Sequence, residues 1–426
     1  MHFIGVFIRH RSEQEAMKSM DNSRPHHPAG LPPANALAME GVAEHNPALQ
    51  EDRLVTEHPL SEQASSRAPP PVGSGADGRP YRQGGRWRRR ILAVAFFVNY
   101  LSLLFALPAG RAGTFTIQSE NDLYGDGEDR WYTNGARLVW TWKAHDRTPP
   151  WSNRASDALL RLTLGLDRQQ LTASDAHHRY LLALGQNMYT PHTIKVAVPI
   201  PGDRPYAGWL YLETASTALK GTRRDEWLIS LGIVGPAALA RQTQTAVHKL
   251  VKSPRPLGWA NQLPNAPAIQ ISYRQSRYLM LAGDENRAGF QLAPFAGFDI
   301  GTLSLTADSG IVLRAGWRLG RHLPARISPM IVGSPFTPES NSRFGFEVFA
   351  GMGGRLVAYN RLLSGPFLRS APVTVPARHR LFELSLGGRL TWKGIALTYG
   401  YTLRGKEFRG QAEGQAFGHV SLAIGF

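Results

Sequence analysis

From Thr114 to Phe426 the chain repeatedly alternates apolar and polar residues over segments of about ten residues, and this period most limits what it can fold into. Period two sends successive side chains to opposite faces of a strand. In Arg343–Ala350, Phe344, Phe346 and Val348 alternate with Arg343, Gly345 and Glu347. In Leu381–Leu390, Phe382, Leu384, Leu386 and Leu390 share one face and Glu383, Ser385 and Arg389 the other. In Gly394–Tyr401, Ile395, Leu397, Tyr399 and Tyr401 alternate with Ala396, Thr398 and Gly400. The chain closes with Val420, Leu422, Ile424 and Phe426 alternating with His419, Ser421, Ala423 and Gly425. Further strands are expected near Thr114–Glu120, Ala136–Lys143, Tyr180–Gln186, Trp209–Ser216, Glu226–Val234 and Ala268–Tyr273.

Alternation suits a soluble sandwich as well as a membrane barrel, and three further features decide between them. Arg86-Trp87-Arg88-Arg89-Arg90 precedes the apolar run Ile91–Leu107, and the small residues Ala109, Gly110, Ala112 and Gly113 follow, which is the pattern of a secretory signal peptide. A single transmembrane anchor is the other reading of that run, which is short for a span. Aromatic residues gather near strand ends, and the last strand ends on an aromatic residue. The expected fold is therefore all-β, a transmembrane antiparallel β-barrel of about twelve strands with a short helix in its third extracellular loop. A mean hydropathy of −0.25 fits, because only alternate barrel residues face lipid. Residues 1–86 read as a disordered extension or an upstream mis-start, 87–112 as the signal peptide and 113–426 as the barrel. The expected location is the outer membrane of a Gram-negative bacterium, with the barrel a monomer. The chain has no cysteine, which excludes disulfides and thiolate chemistry. Its net charge of +16 could serve nucleic acid or an anionic lipid surface, but no nucleic-acid motif accompanies it, so no nucleic-acid partner is expected.

If the first strand leaves the periplasm, the unusual residues fall on three loops at the outer end. Loop one, near Asn121–Tyr132, holds Glu120-Asn121-Asp122-Leu123-Tyr124-Gly125-Asp126-Gly127-Glu128-Asp129 and then Tyr132-Thr133-Asn134-Gly135. Oxygen donors clustered around glycines suit a hard cation such as Ca²⁺, although the spacing is not that of an EF-hand; a solvated acidic turn is an equal alternative. Loop two, near Asn187–Tyr206, holds Tyr189-Thr190-Pro191, Lys195 and Asp203-Arg204-Pro205-Tyr206-Ala207-Gly208. Asp203 and Arg204 read as a pair closing a turn, and Lys195 as a surface lysine or an electrostatic donor to a phosphate or oxyanion. Loop three, near Gly235–Pro267, opens with Gly235-Pro236 and continues as a helix over Ala237–Val251. Gln244 and His248, four apart, share one face of that helix. His248 is a candidate general base or an ordinary exposed histidine. The following Gly258-Trp259-Ala260-Asn261-Gln262-Leu263 suits a lipid–water interface. The stretch Ala144–Arg179 should be a short periplasmic turn, yet it is long and polar. No Gly-x-Ser-x-Gly elbow occurs, so metal-plus-histidine hydrolysis is the more natural design.

Glu120-Asn121-Asp122, Tyr132-Thr133-Asn134-Gly135, Gly185-Gln186-Asn187-Met188-Tyr189-Thr190-Pro191, Asp203-Arg204-Pro205-Tyr206-Ala207-Gly208, and Gly232-Ile233-Val234-Gly235-Pro236 leading to Gln244-Thr245-Ala246-Val247-His248 together resemble the lipid A 3′-O-deacylase family (LpxR-like) of Gram-negative outer membranes. The resemblance is carried by about Phe115–Leu263; the C-terminal half matches only as barrel, and residues 1–112 carry none of it. It implies a twelve-stranded barrel and a Ca²⁺-dependent esterase that removes the 3′-linked acyloxyacyl chain of lipid A. By position it puts Asn121 and Asp122 at the metal site, Thr133 beside it, His248 as the base and Lys195 as a functional lysine. The partners it implies are lipid A, or whole lipopolysaccharide, and the outer membrane itself. A non-enzymatic porin or channel, and an outer-membrane phospholipase, are the competing readings.

Overall fold

The computed structural model describes residues 113–426 apart from 126, 128, 145–148, 168–176, 323–334, 336, 339–342, 367–370 and 372. The leader and signal segments expected in residues 1–112 lie outside the described residues. The strands are β1 (Gly113–Asn121), β2 (Trp131–Lys143), β3 (His177–Thr190), β4 (Ala207–Lys220), β5 (Arg223–Val234), β6 (Ala266–Arg277), β7 (Leu279–Gly283), β8 (Ala288–Gly301), β9 (Ser304–Trp317), β10 (Gly345–Asn360), β11 (Arg380–Trp392), β12 (Ile395–Arg404) and β13 (Gln415–Gly425). Each pairs antiparallel with its neighbours, and β1 pairs with β13 from Thr114↔Gly425 to Asn121↔Gly418. β6 pairs with β8, and β7 carries the line of β6 past Tyr278 to pair with the rest of β8. The thirteen segments thus form twelve staves of a closed barrel, β6 joining β8 to complete the ring.

The alternation read from the sequence is the alternation of the wall. Phe346, Val348, Leu384, Leu386, Leu390, Leu397 and Tyr399 are exposed on the outer face. Their neighbours Glu347, Glu383, Ser385 and Arg389 are buried in the lumen. A charge buried without a partner costs several kcal/mol, so the lumen residues pair across it. Arg314 and Arg389 share Glu347 at 2.5 and 3.0 Å, Arg274 meets Asp299 at 2.9 Å, and Arg404 meets Glu383 at 2.5 Å. Arg137 meets Glu213 in the same way. Above these pairs Tyr132, Tyr189, Trp209, Tyr211, Leu303, Leu362 and Phe417 pack into an apolar cluster.

Both chain ends of the barrel lie at one end of the wall, the terminal end, and the connections 122–130, 191–206, 235–265, 361–379 and 405–414 gather at the other, the loop end. Two helices lie against the outer face. The first, α1 (Arg154–Leu164), falls in the stretch expected to be a short turn. The Asn153 amide donates to the carbonyls of Leu181 and Ala215, and Leu160 packs on Ala218, so the stretch is long because it clips a helix onto the wall. Gly165, with φ of 64°, ends it. The second, α2 (Ala240–Val251), begins at Ala240 rather than at the expected Ala237. Pro236–Ala238 forms a tighter 3-10 turn first, entered from Gly235 at φ 104° and left through Leu239 at φ 60°.

Candidate functional site

The loop-end site is built outward from β1. Asn121 caps a short turn over Asp122–Tyr124, its Oδ1 accepting from the Leu123 N–H at 2.7 Å. Asp122 is 1% exposed; its carboxylate accepts from the Leu123 N–H at 2.9 Å and from the Arg130 N–H at 2.8 Å. The buried carboxylate thus bends the loop back on itself and fixes the residues just before β2. Asp129 is the residue so placed. β2 then carries a bulge between Tyr132 and Asn134, which turns the Thr133 hydroxyl to within 2.7 Å of the Thr190 hydroxyl on β3.

α2 supplies the other half. Ala240, Gln244 and His248 recur every fourth residue and form its buried face, as the spacing predicts. The helix can seat on the wall because β4 carries Gly208 beneath it: a Cβ there would stand 2.5 Å from the Ala240 Cβ. Met188, Ile194, Tyr206, Ala240 and Trp259 pack into one apolar cluster between wall, helix and loop two. Tyr206 and Trp259 meet ring to ring at 4.8 Å.

His248 sits over that cluster with both ring nitrogens engaged. Its Nδ1 is 2.6 Å from the Pro254 carbonyl. A carbonyl only accepts, so Nδ1 carries a hydrogen and Nε2 is the nitrogen free to exchange one. Nε2 lies 3.0 Å from the Asp129 carboxylate. The hydrogen bond from Asp129 raises the His248 pKa above the ordinary imidazole value, against the lowering pull of burial, and the Pro254 carbonyl adds to the rise. The Gln244 amide donates to the other Asp129 oxygen at 3.1 Å, and its carbonyl accepts from the Trp259 indole at 2.6 Å. Trp259, Gln244, Asp129 and His248 therefore form one chain in which each member fixes the next.

The structure brings Asp129, Gln244 and His248 together and ties Asn121 and Asp122 to them through the backbone of loop one. Lys195 stands exposed on loop two, beside Ile194 of the apolar cluster, rather than bonded to His248. Two expectations are corrected. Trp259 is 1% exposed and bonded inward, not placed at a lipid–water interface, because its indole N–H finds Gln244. Asp203 and Arg204 do not pair with each other. The Asp203 carboxylate accepts the backbone N–H groups of His192 and Arg204, while the Arg204 guanidinium reaches Glu407 at 2.9 Å. Sequence reasoning also missed Asp129 as the partner of His248; its only signal was membership of the acidic run.

Asn121 and Asp122 offer the hard oxygen donors that Ca²⁺ prefers. Among the described residues no group of three or more His, Cys, Asp or Glu side chains could hold a metal. Asp126 and Glu128, of the same loop, lie outside the described residues.

Comparison with known proteins bears on this arrangement. The family model described as outer membrane protein LpxR matches residues 91–426. The match begins within the apolar run and takes in the C-terminal half, so the likeness is wider than the motifs between Phe115 and Leu263 suggest. Among solved structures, LpxR from Salmonella typhimurium superposes with a TM-score of 0.57 at 18% identity, over 74% of this chain and 100% of that one. The β domain of the Bordetella autotransporter BrkA gives a TM-score of 0.36 at 10% identity, over 74% of this chain and 100% of that one. No curated protein matches. With its barrel closed, its loops gathered over one end and its sequence matched across the whole of that barrel, the chain belongs to the LpxR family of outer membrane proteins.

Proposed function

We propose that this barrel is a lipid A 3′-O-deacylase, which hydrolyses the 3′-linked acyloxyacyl ester of lipid A in the outer leaflet. The observation that carries the reading is the Asp129–His248 pair, held between a loop helix and the outer wall of a membrane barrel. A site there is reached from the membrane rather than through the lumen, as an ester buried among acyl chains requires. Long loops face outward in barrels of this kind, which puts the site at the outer leaflet. Exposed Lys195, Arg241, Lys249, Lys252 and Arg255 ring the same loops and would hold the phosphates of the substrate.

His248 is anchored through Nδ1, so Nε2 takes the proton from a water molecule as its oxygen attacks the acyl carbonyl. The acyl C–O bond then breaks, and the same proton passes from Nε2 to the departing sugar oxygen. Asp129, 3.0 Å from Nε2, steadies the imidazolium while it exists. For the attack, Asp129 must yield its place at Nε2 to the water. Asn121 and Asp122 would hold Ca²⁺, which when bound supplies positive charge beside the carbonyl oxygen. A porin finds no support in a lumen crossed by Arg–Glu and Arg–Asp pairs, and a serine phospholipase lacks its nucleophile motif.

The test uses refolded barrel and purified lipid A, with the product identified by mass. Release of the acyloxyacyl chain in Ca²⁺, lost in excess chelator and in folded Asp122→Ala, is expected. Full activity in chelator would remove the metal from the scheme, and no release under any condition would remove the deacylase.

A further inference from the structure

α1 has one face on the barrel wall and leaves an apolar strip exposed on another. One face is used: Leu160 packs on Ala218, Leu164 and Leu166 pack with Trp227, the Trp227 indole donates to the Thr163 hydroxyl, and Ser156 bonds Ser216. Ser216, Ala218 and Trp227 point outward, since the register sets Ser216 opposite Trp227 and strand alternation puts all three on the face away from Glu213 and Ser230. Another face carries Ala155, Ala158 and Leu162, spaced by three and four so that they form one exposed stripe, and Trp151 stands exposed in the 3-10 turn that leads into the helix. Trp151 is 77% exposed and Leu162 80%. Beside the stripe stands exposed Arg154, while Asp157 is turned inward to Arg161 and the Tyr180 hydroxyl.

We propose that α1 is a membrane-surface strap: its exposed stripe, with Trp151 before it, lies in the boundary between headgroups and acyl chains of the glycerophospholipids at the terminal end of the barrel. The stripe continues a surface that already meets lipid. On the same outer wall, at the same end, Trp140 and Phe426 meet edge to face at 5.2 Å, as in the aromatic girdles that mark a barrel's interface. The wall side of α1 is already occupied, so Trp151 and Leu162 leave water only if the strip beside the barrel meets lipid, as the neighbouring wall does. The charges suit the occupant too. The acidic side chain is spent inward, and the exposed arginine is left for phosphate.

The chain has no cysteine, so a single introduced thiol reports alone. Leu162→Cys and, separately, Ala158→Cys carry a spin label on the full barrel refolded into phosphatidylethanolamine–phosphatidylglycerol vesicles. Heat-modifiable migration checks folding, and collision rates are read with oxygen and with a water-soluble nickel chelate present on both sides. Val348→Cys on the lipid-facing wall and Asn286→Cys in an exposed turn set the two limits. The expected result is an oxygen-to-nickel collision ratio at both helix positions close to that of Val348→Cys. A ratio like that of Asn286→Cys would place the stripe in water and overturn the proposal. Low collision with both reagents would place protein over the stripe, a second copy or another chain, and would overturn it equally.

Discussion

His248 has one partner that fixes its tautomer and one that sets its charge. The Pro254 carbonyl does the first and Asp129 the second. If Nε2 is the base, His248→Ala should lose about 10²–10⁴-fold in rate, and His248→Gln should not restore it, since an amide cannot take the proton. Steady-state release of the acyl chain by folded variants measures this; a wild-type rate in His248→Ala would make the histidine a bystander. The pH dependence has a definite sign. Only the neutral ring acts, and the Asp129 bond raises its pKa, so activity falls on the acid side from a pH above that of an ordinary imidazole. Asp129→Asn removes the largest cause of that rise and should move the acid limb of kcat/KM to lower pH, whatever it does to the maximum. An unmoved limb would mean that Asp129 does not touch the titrating group. Gln244 and His248 were legible from their spacing, because a helix turns four residues onto one face. Their link to Asp129 was not, since it joins segments remote in sequence through a loop whose path depends on the buried Asp122 carboxylate.

The elements divide in the same way. The strands were legible because lipid and lumen impose opposite demands on alternate residues, and the observed strands extend the expected ones by a few residues at their ends. β3, for instance, runs on to Thr190, into what was read as loop two. α1 was missed because its buried face mixes Ser156 and Asp157 with Leu160, so polar residues stand where an ordinary surface helix shows an apolar stripe. α2 depends on its seat. Gly208 permits the contact with Ala240, so Gly208→Val should lift the helix from β4 and separate Gln244 and His248 from Asp129. The expected outcome is a loss of activity comparable to that of His248→Ala, with barrel folding and heat-modifiable migration unchanged. Full activity in Gly208→Val would show that the site does not need the helix held at this distance.

Across the whole molecule, one closed wall serves two solvents, lipid outside and a paired polar interior within. The sequence made the interior polar at alternate positions, but which arginine meets which carboxylate follows from the register of neighbouring strands, as where β10 and β11 set Glu347 opposite Arg389. The pairs cross the lumen, and the cluster of Tyr132, Trp209 and Phe417 packs above them. Planar-bilayer recordings of the refolded protein should therefore show no stepwise ion conductance; regular single-channel steps would return the porin reading. The central claim, that a barrel of this family removes an acyl chain from lipid A using His248, is tested most directly in cells. Lipid A would be extracted from a Gram-negative host making the wild-type barrel, folded His248→Ala or neither, and compared by mass spectrometry. The account predicts a species lighter by one acyloxyacyl group in the wild-type cells alone, whereas identical spectra from all three, with the barrel folded in the outer membrane, would contradict it.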